Sequence, residues 1–299
     1  MEKTINVDFY SVTMSNDEDP SFENVVRSIH ETPNDESRNF DIRGVPVRLN
    51  DVNDQRRHSG ITAEMVRIRM DDLPARASLS GNIAPFDLND DEGVGEETAF
   101  FYHVPHRILV IQRNRSGVSA AQVAYYFACK AAINGYIHID PILKQDTMVR
   151  FDSVEVVRKF EVSVARQQNT AALRYAGAGI GACVDMIEQL GAPHVNITLS
   201  MGHSRGSLFK EPVKELVRRV LRISGENPDA VKKLRISGKD ENEVDVPMLD
   251  LLEDRMTESV LVTQDENRRL TYAARRSAVL HAWSRRKDEL MEMFQDENR

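Results

Sequence analysis

The 299 residues are 41% apolar and 29% charged, and 39 Lys+Arg against 47 Asp+Glu leave a net charge of −8. No apolar run is long enough to cross a bilayer, no signal-type leader precedes the first strand, and the two cysteines, Cys129 and Cys183, are too few for a disulfide framework or a zinc ribbon. Secreted and membrane-spanning classes are thereby excluded, and the expectation is a cytoplasmic globular chain of two domains.

Thr4 to Thr13 is β-rich and alternates with period two over its first half, which predicts a half-buried strand. Asp19-Pro20 supplies a helix cap and a proline at the first helical position, opening a helix to about Glu31. Residues 32–60 are polar, with Val45–Leu49 an edge strand at most, and Glu64–Met70 is a strand. Residues 77–95 read as loop. Thr98–Val104 and Arg107–Arg113 flank Pro105-His106, as two strands joined by a tight turn would. Ser119 caps a helix that Gly135 ends, and Tyr136–Leu143 and Val154–Arg166 are strands. Thr170–Leu190 predicts a helix rich in small residues, followed by a strand over Val195–Met201.

A helix with Pro212 near its start then runs to about Ile223, its apolar stripe being Val213, Leu216, Val217 and Val220. Gly225–Pro228 is a turn, and Val231–Ser237 and Ser259–Thr263 are strands. A last helix, from about Leu270 to Gln295, carries Leu280, Trp283, Leu290 and Phe294 as core or as a homodimer seam. Strands and helices do not alternate strictly, so the expected class is α+β, with mixed or antiparallel sheets and packed helices. The expected division is an α+β domain with an acidic N-terminal region over 1–204 and a basic region over 205–299.

Charge is unevenly placed. Residues 1–100 hold 10 basic and 21 acidic residues, whereas Arg205 to Lys239 holds ten basic and four acidic, and 240–270 turns acidic again. Lys214, Arg218 and Arg222 recur at i+4 on what reads as the solvent face of the basic helix, with Arg219 beside them. Lys232, Lys233, Arg235 and Lys239 lie on the next strand. Together these eight residues would neutralise phosphates, and with no aromatic residue between Leu216 and Tyr272 they favour duplex backbone over stacked single strands. The competing reading is a solvated charged face, or one paired with the acidic stretch 240–254.

Other motifs carry less. Gly177–Ala182 fits G-x-G-x-x-G/A, but the residues before it read as helix and no acid occurs from Gly191 to Lys210, so no cofactor is expected. His138 with Asp140, and His103 with His106, lack the further ligands zinc needs, and no metal is expected. Gly202–Gly206 matches G-x-S-x-G, yet Pro212 interrupts the segment after it and His281 is the only later histidine, so no catalytic residue is assigned.

From about residue 92 to 294 the chain resembles the RexA family of phage-exclusion proteins. The likeness rests on the Phe100/Phe101 strand with the strand after it, Ile137–Ile142, the basic helix 214–223, Leu234-Arg235 with Lys239-Asp-Glu241, and the Trp283/Arg285/Arg286 helix. The interval from Arg235 to Lys239 is longer here than in the family. The resemblance implies a homodimeric, non-enzymatic protein that binds double-stranded DNA without sequence specificity and excludes superinfecting phage from a prophage, with a separate membrane-channel partner. Arg235 and Lys239 would be DNA-contacting positions. Two alternatives remain open: a defence enzyme acting on nucleic acid or nucleotides through carboxylates that no motif selects, and a recombination or nucleoid-associated protein.

Overall fold

A computed structural model describes the chain except residues 34–35, 166–180, 183–184, 186–188, 227–229 and 295–299. Its first elements are β1 (Glu2–Met14), α1 (Phe22–His30), β2 (Phe40–Asp41), β3 (Pro46–Gln55), β4 (Gly60–Arg69), β5 (Arg76–Ala77) and β6 (Ile83–Ala84). The middle of the chain forms β7 (Val94–His103), β8 (Ile108–Gln112), α2 (Ala120–Lys130), β9 (Ile137–Pro141), α3 (Gln145–Ser153) and β10 (Val156–Ala165). Then come β11 (His194–Ser200), α4 (Lys210–Glu226), β12 (Val231–Lys239), β13 (Asp245–Asp250), β14 (Thr257–Thr263) and α5 (Tyr272–Met293). The fold is α+β. Among the described residues no helix is long and apolar enough to cross a membrane.

The chain divides into two units, residues 1–7, 12–138 and 258–287 in the first and 8–11, 139–257 and 288–299 in the second. The division does not fall at 204/205, because β10, β11 and β12 are neighbours in one sheet and the segment 258–287 belongs with the N-terminal residues.

An eight-stranded sheet of order β14-β1-β8-β7-β4-β3-β2, with β9 paired to β1, organises the first unit. Alternation along β7 places ring pairs on both its sides. Phe100 and Tyr102 meet Phe22 of α1, the second at 4.8 Å between ring centroids, while Phe101 and His103 meet Trp283 of α5 at 5.4 and 4.5 Å. Both sides being covered, the strand is buried without interruption from Thr98 to His103, which is why it reads as a continuous apolar run. Ser119 caps α2 in a full capping box with Gln122. At α1 the cap is Ser21 rather than Asp19; the Asp19 carboxylate instead accepts from the backbone N–H groups of Asn134 and Gly135. Polar β3 is a full ten-residue strand, paired with β4 from Val47 to Gln55 but with β2 only at Pro46 and Val47, so most of it is an edge.

The second unit is built on an antiparallel sheet of order β11-β10-β12-β13. α3 and α4 share one apolar cluster with it, including Phe151, Val157, Phe160, Val162, Val217, Val220, Leu234 and Ile236. Neither α3 nor β13 is marked by a strong apolar period in the sequence, and the helix expected over 170–190 lies largely outside the described residues.

Candidate nucleic-acid interface

Burial of Val213, Val217, Val220 and Leu221 fixes how α4 is turned, with Pro212 in the first turn, where a missing N–H is tolerated. Lys214 does not lie on the solvent face expected for it. It is 4% exposed, because α3 brings Phe151 and Asp152 against that turn. Its Nζ donates to the Asp152 carbonyl at 2.8 Å and stands 5.4 Å from the Phe151 ring centre. Burial, with Lys210 nearby, pulls the Lys214 ammonium pKa below its ordinary value. Arg218 is exposed, its guanidinium 6.0 Å from the centre of the same ring, and Arg219 pairs with Glu215 one turn back. Arg222 grips Asp140 with two hydrogen bonds of 2.6 and 3.0 Å.

On β12 the alternation turns Leu234 and Ile236 into the cluster shared with α4, and therefore turns Lys233, Arg235, Ser237 and Lys239 to the other side of the sheet. The eight basic residues thus do not make one continuous surface: the α4 set and the β12 set lie on opposite sides of the sheet layer. Lys232 is exposed at the irregularity where Ser163 faces Lys233 and Val164 faces Val231.

Register adds residues to the β12 side that the sequence pattern did not single out. Lys159, Glu161 and Ser163 of β10 stand opposite Ser237, Arg235 and Lys233, and Ser200, Thr198 and Asn196 of β11 continue the same three rows. Their period-two spacing was the available signal. Within this face Lys159 donates to Glu161 at 2.6 Å and Lys233 stands 3.9 Å from the same carboxylate. The Lys159 hydrogen bond, together with the positive charge of Lys233 and Arg235, holds the Glu161 carboxyl below the usual carboxylate range. Arg235 Nε donates to Asp250 Oδ2 of β13 at 2.7 Å, and this hydrogen bond raises the guanidinium pKa further. The Lys239 ammonium has no ion pair among the described residues.

Gly177–Ala182 falls mostly outside the described residues. Ser204 sits within residues 201–209, between β11 and α4, in a loop that Arg158 ties down by donating to the Gly206 and Gly202 carbonyls at 2.6 and 3.1 Å. A nucleophile elbow needs the serine at the strand–helix junction itself, and here nine residues intervene. Among the described residues no group of three or more His, Cys, Asp or Glu could hold a metal ion.

Sequence reasoning did not single out a buried ion cluster of the first unit: Arg275, 3% exposed, binds Glu64 and also Glu97. His103 and His106, paired in the sequence reading, are stacked at 5.2 Å, and His103 also stacks on Trp283 at 4.5 Å, its Nδ1 without a partner.

The family model DUF6731, a family of unknown function, matches residues 1–287, and the chain belongs to that family. No curated protein matches it.

Proposed function

We propose that this DUF6731 chain binds the sugar–phosphate backbone of duplex DNA, without sequence specificity and without chemistry of its own, through the β12 side of the second-unit sheet. One observation carries the reading: Lys159, Lys233, Arg235 and Lys239 share a sheet face, Lys232 adjoins it, and serine, threonine and asparagine side chains run between the cations. Cations supply affinity by releasing counterions, and hydroxyl and amide groups add hydrogen bonds to phosphate oxygens. No aromatic ring stands among the named residues of this face, which favours backbone contact over base stacking. Glu161 and Asp250 hold part of the positive charge, but such partly exposed pairs are weak and a phosphate can replace the carboxylate. The RexA resemblance supplies the biological setting, exclusion of superinfecting phage by a homodimer. The α4 residues Lys214, Arg218, Arg219 and Arg222 drop out of the contact set in this reading.

Fluorescence anisotropy with a labelled duplex across a salt series tests it. Each phosphate contact contributes roughly −0.9 to the slope of log affinity against log salt. Alanine at Lys232, Lys233, Arg235 and Lys239 should flatten the slope by about 3 to 4, whereas alanine at Arg218 and Arg219 should leave it unchanged. Absence of binding by the unaltered protein at low salt, or equal losses in the two variants, would overturn the reading. Divalent-metal-dependent cleavage of the duplex would instead point to an enzyme.

A further inference from the structure

Two grooves of the first unit, about 570 and 410 Å³, adjoin at Asp54, which lines both. The floor of the larger is one side of α5: Arg276, Ser277, Leu280, His281, Ser284 and Arg285 recur at the three- and four-residue spacing of neighbouring helical turns. This is the side opposite Arg275, Val279, Ala282 and Trp283, which are buried. Asn53 and Gln55, at the end of β3, form the wall. The smaller groove takes Arg56 and Ser59 from the turn between β3 and β4.

The charges here are not equally engaged. Arg27 reaches Glu23 at 2.8 Å and Asp54 at 2.6 Å, so the one carboxylate common to both grooves is already neutralised. Arg285 is held by Glu258 at 2.9 Å. Arg276 has no carboxylate partner among the described residues and lies over the Tyr272 ring at 5.7 Å, and Arg56 has no ion pair among them either. Asn53 and Gln55 each donate one amide N–H, to the Tyr272 hydroxyl at 3.4 Å and to Thr62 Oγ1 at 3.1 Å, and each keeps a carbonyl oxygen able to accept. The result is a pair of concave surfaces with two unneutralised guanidiniums, hydroxyl donors and amide acceptors, in a chain whose net charge is −8.

We infer that these grooves bind a phosphorylated small molecule of nucleotide size, with Arg276 and Arg56 taking the phosphate oxygens and the Asn53/Gln55 wall facing the organic part. A guanidinium presents a planar fork of donors that matches phosphate. Neither guanidinium belongs to the proposed DNA-binding face, so the two assignments stand or fall separately.

Isothermal titration calorimetry of the full chain with inorganic phosphate, adenosine, AMP and ATP is the test. Binding of the nucleotides and not of adenosine, weakened at least tenfold in R276Q and in R56Q while R219A retains it, is the expected result. Melting curves of R276Q and R56Q that superimpose on the unaltered protein would show that the losses are local. No heat with AMP or ATP, or nucleotide binding untouched by R276Q, would overturn the proposal. It would equally be overturned if nucleotide binding vanished only in the variant carrying alanine at Lys232, Lys233, Arg235 and Lys239, since the phosphate would then sit on the β12 face.

Discussion

Arg235 and Arg276 come from the two candidate surfaces, the β12 face and the α5 groove, and their surroundings differ in kind. Arg235 sits on a strand whose neighbour presents Asp250 directly opposite, and it spends its Nε on that carboxylate. Arg276 sits on the outward side of a helix whose nearest partner is an aromatic ring. The first region is the more basic in sequence, yet its charge is largely engaged: Arg219, Arg222, Lys233 and Arg235 each stand within ion-pair distance of a carboxylate, and Lys214 is buried. The second region looks ordinary in sequence and leaves two guanidiniums unneutralised. Density of like charge along a chain therefore says little about charge available to a ligand. Availability is decided by which strand or helix the fold sets alongside.

Arg275, next to Arg276 in sequence but facing inward, marks the far end of this comparison. Its Nε donates to Glu64 Oε1 at 3.1 Å, it also binds Glu97 at 3.0 Å, and both it and Glu64 are almost fully buried. Removing one member would strand a charge out of water. Glu64→Ala or Arg275→Ala should cost roughly 3–5 kcal/mol of stability in urea unfolding. Replacing Glu64 and Arg275 together by apolar residues of similar volume should cost much less, since no unpaired charge remains. If the single variants proved harmless, Arg275 would have to be as free as Arg276, and the contrast between the two sides of α5 would collapse.

His103 gives the next effect. Burial, the charges of His106 and Lys287, and His58 push its pKa down from 6.5 to about 4. The unfolded chain therefore binds a proton that the folded chain refuses between these values. Stability is fully present above pH 6.5 and falls as pH drops towards 4, by roughly 1.4 kcal/mol per unit or about 3 kcal/mol in all. Unfolding of the unaltered protein and of His103→Phe across this window, monitored by the fluorescence of the single tryptophan, Trp283, should show the variant with the shallower slope. Identical slopes would mean that the imidazole is not shielded by the Trp283 and His106 stack.

Legibility tracked locality. The Ser119 cap, the Pro105-His106 turn and the strands β1, β7, β10, β12 and β14 are written in residues adjacent in sequence, and each stands close to where periodicity places it. Helix α3 and strand β13 are short and their apolar residues follow no clear period, and the polar edge strand β3 buries only Val47 and Leu49. At the candidate site, the outward alternation of Lys233 and Arg235 was legible because it needs only β12 itself. The burial of Lys214 was not, because it depends on α3 docking; pairing with the acidic stretch 240–254 was open as the competing reading, but that Arg235 meets Asp250 depends on the register of β13 against β12. Arg275 escaped notice for a related reason: a charged residue inside a helical stripe reads as solvent-facing until its carboxylates, here 211 and 178 positions away, are in place.

The smallest effect bears most directly on the comparison between Arg235 and Arg276. Asp250→Asn removes the charge that holds Arg235 without touching any cation. The asparagine Oδ1 can still accept from the Leu252 and Glu253 backbone N–H groups, as the Asp250 carboxylate does at 3.2 and 3.3 Å, so the melting temperature should scarcely move. What should change is the charge that Arg235 offers a phosphate. If the β12 face binds DNA through Arg235, affinity in anisotropy at low salt should rise, because the phosphate no longer has to displace a carboxylate, while the number of contacts and hence the salt slope stay the same. Nucleotide binding in the first unit should be indifferent. An unchanged affinity would show that Asp250 does not compete with a phosphate for Arg235.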